Sequence, residues 1–222
     1  IYIPKVNFLK KVIKEKIKVI DYGSGVGYFL KALEVKKIKA IGLETNKQSV
    51  KEGGKFLNKN KLYHSKFGDN SIFKKHANDY NTLALMGVLE HIDPKNLLKD
   101  FKSSKLKYLY IAVPALSLSV FLENVFPKVF PRVLSNGHTH LYTEKSLNYF
   151  AKKNNLKIIG EWWFGTDIPD LFRSLLVSAN TVDKKVYTDE INKIFKNTID
   201  QLQVVLDKNK TCSEIHMIFK KK

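Results

Sequence analysis

The chain of 222 residues contains a single cysteine, Cys212, so no internal disulfide can form, and the composition suits a reducing, cytoplasmic compartment. It has only two arginines, Arg132 and Arg173, so nearly all of the net charge of +18 is lysine. Lysine lacks the planar fork that grips phosphates or guanine edges bidentately. Its spread along the chain beside Asn and Ile reads as a solvated surface, which makes nucleic acid the less favoured partner. The field would still draw in anionic substrates. No run reaches the 18 or so uninterrupted apolar residues of a membrane span. The longest, Tyr108 to Leu122, is broken by Pro114, Ser117 and Ser119. No secretory leader pattern opens the chain. It begins with Ile1 rather than Met, as a fragment of a longer protein would.

At 44% hydrophobic residues the chain is of ordinary globular composition and long enough for one domain. Such a domain buries roughly 70–75% of its unfolded surface. Apolar runs of strand length alternate with helix-period segments. Strands are expected at 17–20, 39–43, 62–65, 81–86, 108–113, 156–163 and 214–219. Helices are expected at 7–15, 26–36, 48–58 and 94–103, with another from Thr143 to about Lys153 that ends on Asn154-Asn155. Asp93-Pro94 is a helix start, a side-chain cap followed by proline at the first helical position. Crossover helices between buried strands imply an α/β fold with a doubly wound, seven-stranded, mostly parallel sheet.

One stretch carries more chemistry than the rest. Val19-Ile20-Asp21-Tyr22-Gly23-Ser24-Gly25-Val26-Gly27 takes an apolar run into an acid and then three alternating glycines. A second apolar run, Ala40 to Leu43, ends on Glu44. The spacing is that of a strand–loop–helix–strand unit whose second strand carries an acid to a ribose. Glycine suits the loop because a side chain would hold the backbone off the ligand or forbid the turn. A dinucleotide site wants glycine or alanine where this chain has Tyr28. No Gly-Lys-Ser/Thr follows, which excludes the phosphate cradle of nucleoside triphosphatases.

The pattern Asp21-x-Gly23-x-Gly25-x-Gly27 with the later Glu44 resembles the first motif of class I S-adenosylmethionine-dependent methyltransferases. The resemblance implies a Rossmann-like methyltransferase fold, S-adenosylmethionine as cofactor, and a last strand running antiparallel between the two before it. It places Asp21 and the glycines at the methionine end of the cofactor, Glu44 on the ribose and Asp69, in Phe67-Gly68-Asp69-Asn70, near the adenine; a turn-capping role for Asp69 is the competing reading. Met86-Gly87-Val88-Leu89-Glu90-His91 resembles the "V-L-E-H" element of small-molecule and glycan-associated members, with Met86 beside the cofactor and His91 at the mouth of the site. The implied acceptor is a small molecule or glycan, anionic or lipid-linked acceptors included. The Asn/Asp-Pro-Pro-Tyr/Phe element expected for methylation of base amines is absent from the fourth strand's end. A nucleic-acid methyltransferase and a non-catalytic binding module with this fold remain the alternatives.

Two insertions interrupt a single domain spanning 1–222. The first, about 114–141, is rich in aromatic and apolar residues (Phe121, Phe126, Val129, Phe130, Val133) and ends in Asn136-Gly137-His138-Thr139-His140. It reads either as a lid over the acceptor or as a packed helix, with lipid contact through Lys128 and Arg132 as a third reading. His91, His138 and His140 compete as the acceptor-side base. His138 and His140 alternate, yet no third ligand is evident from spacing, and no metal is expected. The second insertion, about 165–211, holds an apolar stripe from Ile191 to Leu206 at helical period, read as core or as a dimer seam; the oligomeric state stays open. Beside it, a Trp of Trp162-Trp163 or Asp167 is a candidate acceptor contact.

Overall fold

The computed structural model describes residues 1–66, 68–134, 137–181 and 185–222; Phe67 and Asn136, singled out above, lie outside the described residues. The elements run α1 (Tyr2–Val12), β1 (Lys18–Tyr22), α2 (Tyr28–Val35), β2 (Lys39–Glu44), α3 (Lys47–Gly53), β3 (Lys61–His64), α4 (Ser71–His76), β4 (Thr82–Met86), α5 (Lys95–Ser103), β5 (Tyr108–Pro114), α6 (Leu118–Val125), α7 (Glu144–Lys153), β6 (Leu156–Phe164), α8 (Asp167–Thr181), α9 (Lys185–Phe195), α10 (Ile199–Lys208) and β7 (Glu214–Lys221). They fall into two compact units: Ile1–Ala112, Lys145–Glu161 and His216–Lys222 make the first, Val113–Glu144 and Trp162–Ile215 the second.

The strands form one seven-stranded sheet in the order β3-β2-β1-β4-β5-β7-β6. The pairs β1–β2, β2–β3, β1–β4 and β4–β5 are parallel. β7 runs the other way, since Lys221 at its end donates to the carbonyl of Lys107, just ahead of β5, at 2.9 Å. The chain winds outward from β1 to β3 and then returns across the sheet to β4. The strand order therefore reverses between β1 and β4, and loops leaving their carboxyl ends diverge around a crevice, where open α/β sheets bind ligands.

Alternation along the central strands explains why both faces of the first unit's sheet are covered. Val19, Ala84, Tyr110 and Ile218 join Val6, Leu9, Phe29, Leu30 and Leu33 of α1 and α2 in one buried cluster. Their neighbours Ile20, Leu83, Leu85 and Leu109 point the other way and are fully buried as well. In the first cluster the Tyr110 hydroxyl lies 2.9 Å from Nδ1 of His216, which satisfies a buried imidazole inside the sheet.

Gly42 in β2 is a close-approach glycine. A Cβ there would overlap Ser24 Oγ and come within 2.5 Å of Leu30 Cδ1 and 2.7 Å of Leu62 Cδ1. Gly42→Ala is expected to cost about 1–3 kcal/mol through overpacking, read as a lower urea midpoint at unchanged slope.

Some boundaries differ from the sequence reading. α1 starts and ends earlier than 7–15, because Val6, Leu9 and Ile13 are the residues buried on its inner face and Ile13 is already extended. α4 was not foreseen; it is nucleated where Asp69 Oδ1 accepts the Ser71 N–H at 2.8 Å. α5 begins at Lys95, one residue late, with Asp93 Oδ1 accepting the Lys95 N–H at 3.1 Å. Asn155 does take the left-handed conformation, φ 54°, after α7.

In the second unit α8 packs against α6, α9 and α10. The apolar stripe from Ile191 to Leu206 is not one helix. It breaks after Phe195, where the Thr198 hydroxyl bonds back to the carbonyls of Ile194 and Phe195 and opens α10. Ile194, Leu202 and Val205 are consequently exposed rather than core.

Candidate functional site

The site begins with the loop that leaves β1. Gly23, Gly25 and Gly27 all have positive φ (77°, 55° and 86°), a path that β-carbon-bearing residues follow only under strain. The loop is fixed by three local bonds: the N–H groups of Gly23 and Ser24 donate to the carbonyl of Leu43 at 2.8 and 3.1 Å, and that of Gly27 to Ser24 at 2.9 Å. At Gly23 a Cβ would come within 2.5 Å of Val88 Cγ2, so the loops after β1 and β4 meet here with no room for a side chain.

Glu44, the last residue of β2, braces this loop. Its Oε2 accepts the Gly25 N–H at 2.7 Å and its Oε1 accepts the Asn46 N–H at 2.7 Å, with the Thr45 hydroxyl 3.3 Å from Oε1. Oε1 is thus taken by two donors, while Oε2 keeps a second lone pair toward a ligand. Beside it lies a cavity of about 270 Å³ lined by Tyr22, Gly23, Leu43, Glu44, Thr45, Ser65, Gly87, Val88, His91 and Ile92. The ends of β1, β2, β3 and β4 all contribute, as the strand order requires.

Asp21 sits one turn of the chain before the loop, inside β1, and is 1% exposed. Among the described residues neither carboxylate oxygen has a hydrogen-bond partner. Burial pushes its pKa up to about 7 and the Glu44 charge adds to the rise, while the Ser24 hydroxyl and the Lys5 ammonium pull the other way. A buried acid without a donor is costly, and such an arrangement is resolved by a cationic ligand group.

The remaining expected residues are distributed as follows. His91 lines the cavity and is exposed, with its backbone N–H held by the Val88 carbonyl at 3.0 Å. Met86 is partly buried against the α1–α2 cluster and is not part of the cavity wall. Asp69 lies outside the wall too: its carboxylate is exposed, and the Ser71 N–H it caps holds its pKa below the ordinary value. His138 and His140 belong to the second unit. His138 donates Nδ1–H to the Val133 carbonyl at 2.7 Å; His140 is exposed, its Nδ1 2.7 Å from the Thr139 hydroxyl.

In the second unit two further candidates make bonds within the protein. Asp167 is fully buried; its Oδ1 accepts both the N–H and the hydroxyl of Ser119 at 3.0 Å and so anchors the first turn of α6, while its Oδ2 has no hydrogen-bond partner among the described residues. Arg132 donates from Nη1 to Asp170 Oδ1 at 2.8 Å, and its side chain stays half exposed. Glu123 on α6 accepts the N–H groups of Arg132, Val133 and Leu134 at 2.6, 2.6 and 2.7 Å, tying down the 132–134 segment.

Sequence reasoning missed Thr45, Ser65 and Ile92 in the wall. Thr45 directly follows the expected acid, a signal that was available. Ser65 is placed by the register Glu44↔His64 across β2 and β3, and no local pattern announces it.

A crevice at the strand-order reversal, a glycine turn and a strand-end carboxylate define a nucleoside-binding α/β protein. A family model described as a methyltransferase domain matches residues 1–161, and the chain belongs to that family of class I, S-adenosylmethionine-dependent methyltransferases. No curated protein sequence matches it. Solved structures share the fold at low identity. A SAM-dependent methyltransferase from Archaeoglobus fulgidus has a TM-score of 0.59 at 18% identity, covering 99% of this chain and 92% of that one. The magnesium protoporphyrin IX methyltransferase of Synechocystis, solved with bound SAH, has a TM-score of 0.59 at 11% identity, covering 99% and 82%. A cyclopropane synthase from Mycobacterium tuberculosis has a TM-score of 0.58 at 12% identity, covering 99% and 84%.

Proposed function

We propose that the cavity beside Glu44 seats S-adenosylmethionine, with the carboxylate of Asp21 opposite its ammonium, Glu44 on the ribose, and Gly23, Gly25 and Gly27 passing along its methionine end. The observation that carries this reading is the pair of donor-less, buried oxygens on Asp21 next to a loop with glycine at every other position. When bound, the cofactor supplies a methyl group made electrophilic by its sulfonium. What the chain must then add is position: holding two reactants in contact accounts for about 7–11 kcal/mol of such a barrier. Asp69 stays in the proposal as an outer contact of the adenine, and Met86 as a residue between cofactor and acceptor.

The acceptor we infer is a small molecule or glycan carrying an apolar or lipid-linked portion. The second unit supports this, because α6 and the segment after it expose Leu118, Phe121, Val125 and Phe130, with Phe121 59% and Phe130 71% accessible. An exposed group of that size on one short stretch marks a binding surface more often than chance. Contact with a membrane surface follows from the same residues. Both units, with the 114–141 and 165–211 insertions, form one methyltransferase domain in this reading. A nucleic-acid acceptor is the second reading, favoured only by the net charge of +18.

Of the three histidines, His91 is proposed as the base, since it alone lines the cavity; His138 and His140 remain acceptor-side candidates. For a hydroxyl acceptor, His91→Ala is expected to lower kcat about 10²–10⁴-fold at unchanged cofactor affinity. Release of S-adenosylhomocysteine on a panel of glycans and lipid-linked sugars, wild type against variant, checks both points. Full turnover by the His91, His138 and His140 variants alike would remove histidine base catalysis from the reading.

A further inference from the structure

The lysines that lie scattered in the sequence are not scattered in space. Nearly the whole of the +18 belongs to the first unit, the second carrying about as many acids as bases. Within the first unit they converge at the amino ends of the strands. The parallel register sets Lys18 beside Lys39, bringing the approach to β1 next to the approach to β2. Lys10, Lys14 and Lys16, from the end of α1 and the segment after it, thus face Lys36, Lys37 and Lys39 around a concavity of about 760 Å³. The one acid in its wall, Glu15, is already engaged, by Lys107 Nζ at 2.9 Å and the Tyr108 hydroxyl at 2.6 Å. Among the described residues none of these six lysines is in an ion pair.

This basin continues sideways. A second concavity of about 290 Å³ shares Lys39 and adds Lys59, Lys61, Tyr63 and His76, with one acid, Asp79. The rings of Tyr63 and His76 stack there, 5.6 Å between centroids at an interplanar angle of 25°. Lys39 lies 5.5 Å from the ring of Tyr80, also in this wall. The basic channel therefore runs up to a half-buried, mutually stacked tyrosine–histidine pair, with Tyr80 buried beside Lys39. Neither concavity touches the cofactor cavity: they lie at the opposite ends of β1 and β2, about 13 Å away along a strand that rises ~3.3 Å per residue.

We propose that the basin binds the phosphate backbone of single-stranded nucleic acid, independently of which acceptor is methylated. The chemistry selects the ligand. Uncompensated ammonium groups in a row repel one another until anions sit among them, and lysine, a point charge with three donors, takes phosphate oxygens without reading base edges. Flanking aromatic faces add stacking that tolerates any base. A recessed channel admits a strand, whereas a flat bilayer would meet only its rim. The row of lysines thus sets affinity and the aromatic end sets strandedness, with no sequence preference.

The test is binding of a fluorescent 12-nucleotide oligouridylate to the full chain by anisotropy across a salt series. With six lysines in contact, log affinity against log salt should fall with a slope of about −4, at about −0.7 per phosphate neutralised. Lys10→Ala, Lys14→Ala and Lys39→Ala combined should reduce that slope to about −2, while S-adenosylhomocysteine affinity and melting temperature stay unchanged. The proposal is overturned if the triple variant keeps the wild-type slope, or if no binding appears at low salt. It is equally overturned if phosphatidylserine vesicles or polyglutamate displace the RNA at equal charge concentration, which would make the basin a membrane contact or a trap for any polyanion.

Discussion

Glu44→Ala will weaken binding of S-adenosylhomocysteine by at least about 100-fold. Two losses combine. The carboxylate is proposed to accept a ribose hydroxyl on Oε2, and a charge-assisted hydrogen bond contributes about 1.5–3 kcal/mol. The same carboxylate holds the Gly25 N–H at 2.7 Å and the Asn46 N–H at 2.7 Å, so its removal also releases the turn that shapes the cavity. Glu44→Gln separates the two: the amide oxygen can still accept one N–H, but the charge is gone, and an intermediate loss is expected. Calorimetry gives the dissociation constants directly. A thermal-shift series gives the same answer independently, because ligand at 100 times its dissociation constant stabilises the folded state by about 2.7 kcal/mol. An unchanged constant for the alanine variant would take Glu44 out of the site.

Asp21→Asn should alter the dependence of stability on pH more than any other single change. Burial, with a contribution from Glu44, holds the Asp21 pKa up at about 7, against about 3.9 in the unfolded chain. Between those two values the folded state holds a proton that the unfolded state has lost. Stability contributed by the neutral acid is therefore complete below about pH 4 and is lost as pH rises toward 7, a fall of at most about 4 kcal/mol. The asparagine variant, having no proton to lose, should lack that fall when urea unfolding is followed from pH 4.5 to 8. The cofactor couples to the same proton with the opposite sign. An ammonium is best held by the ionised form, so affinity for S-adenosylhomocysteine should rise as pH passes upward through 7 in the wild type and stay flat in the variant. Parallel stability curves for the two proteins would show that Asp21 carries no displaced proton equilibrium, and the proposed seat would lose its anchor.

The parts of the molecule that were legible from the sequence are those written in short windows. The middles of β1 and β4 are buried on both faces, so they appear as short apolar runs, and the glycines after β1 announce a turn that no other residue makes cheaply. Glu44 was readable for the same reason, as the acid closing the next apolar run. Asp69 shows the limit of such reading. Capping a helix start and facing an adenine call for the same side chain, and only the position of the Ser71 N–H, 2.8 Å from Oδ1, displays the cap. The stripe from Ile191 to Leu206 misled because helical period survives across a break, whereas the break itself rests on the hydroxyl of Thr198.

What the chain's order of residues determined by itself was the α/β alternation, the winding of the sheet around a glycine turn and the two acids at strand ends, because each depends on neighbours within a few positions. Pairings between distant residues came only from the tertiary structure: Arg132 with Asp170, Asp167 with Ser119, and the gathering of Lys10–Lys18 against Lys36–Lys39. Charges repel or attract through space and not along the chain. An even sprinkling of lysine in sequence thus became a one-sided basin once β1 and β2 lay in register.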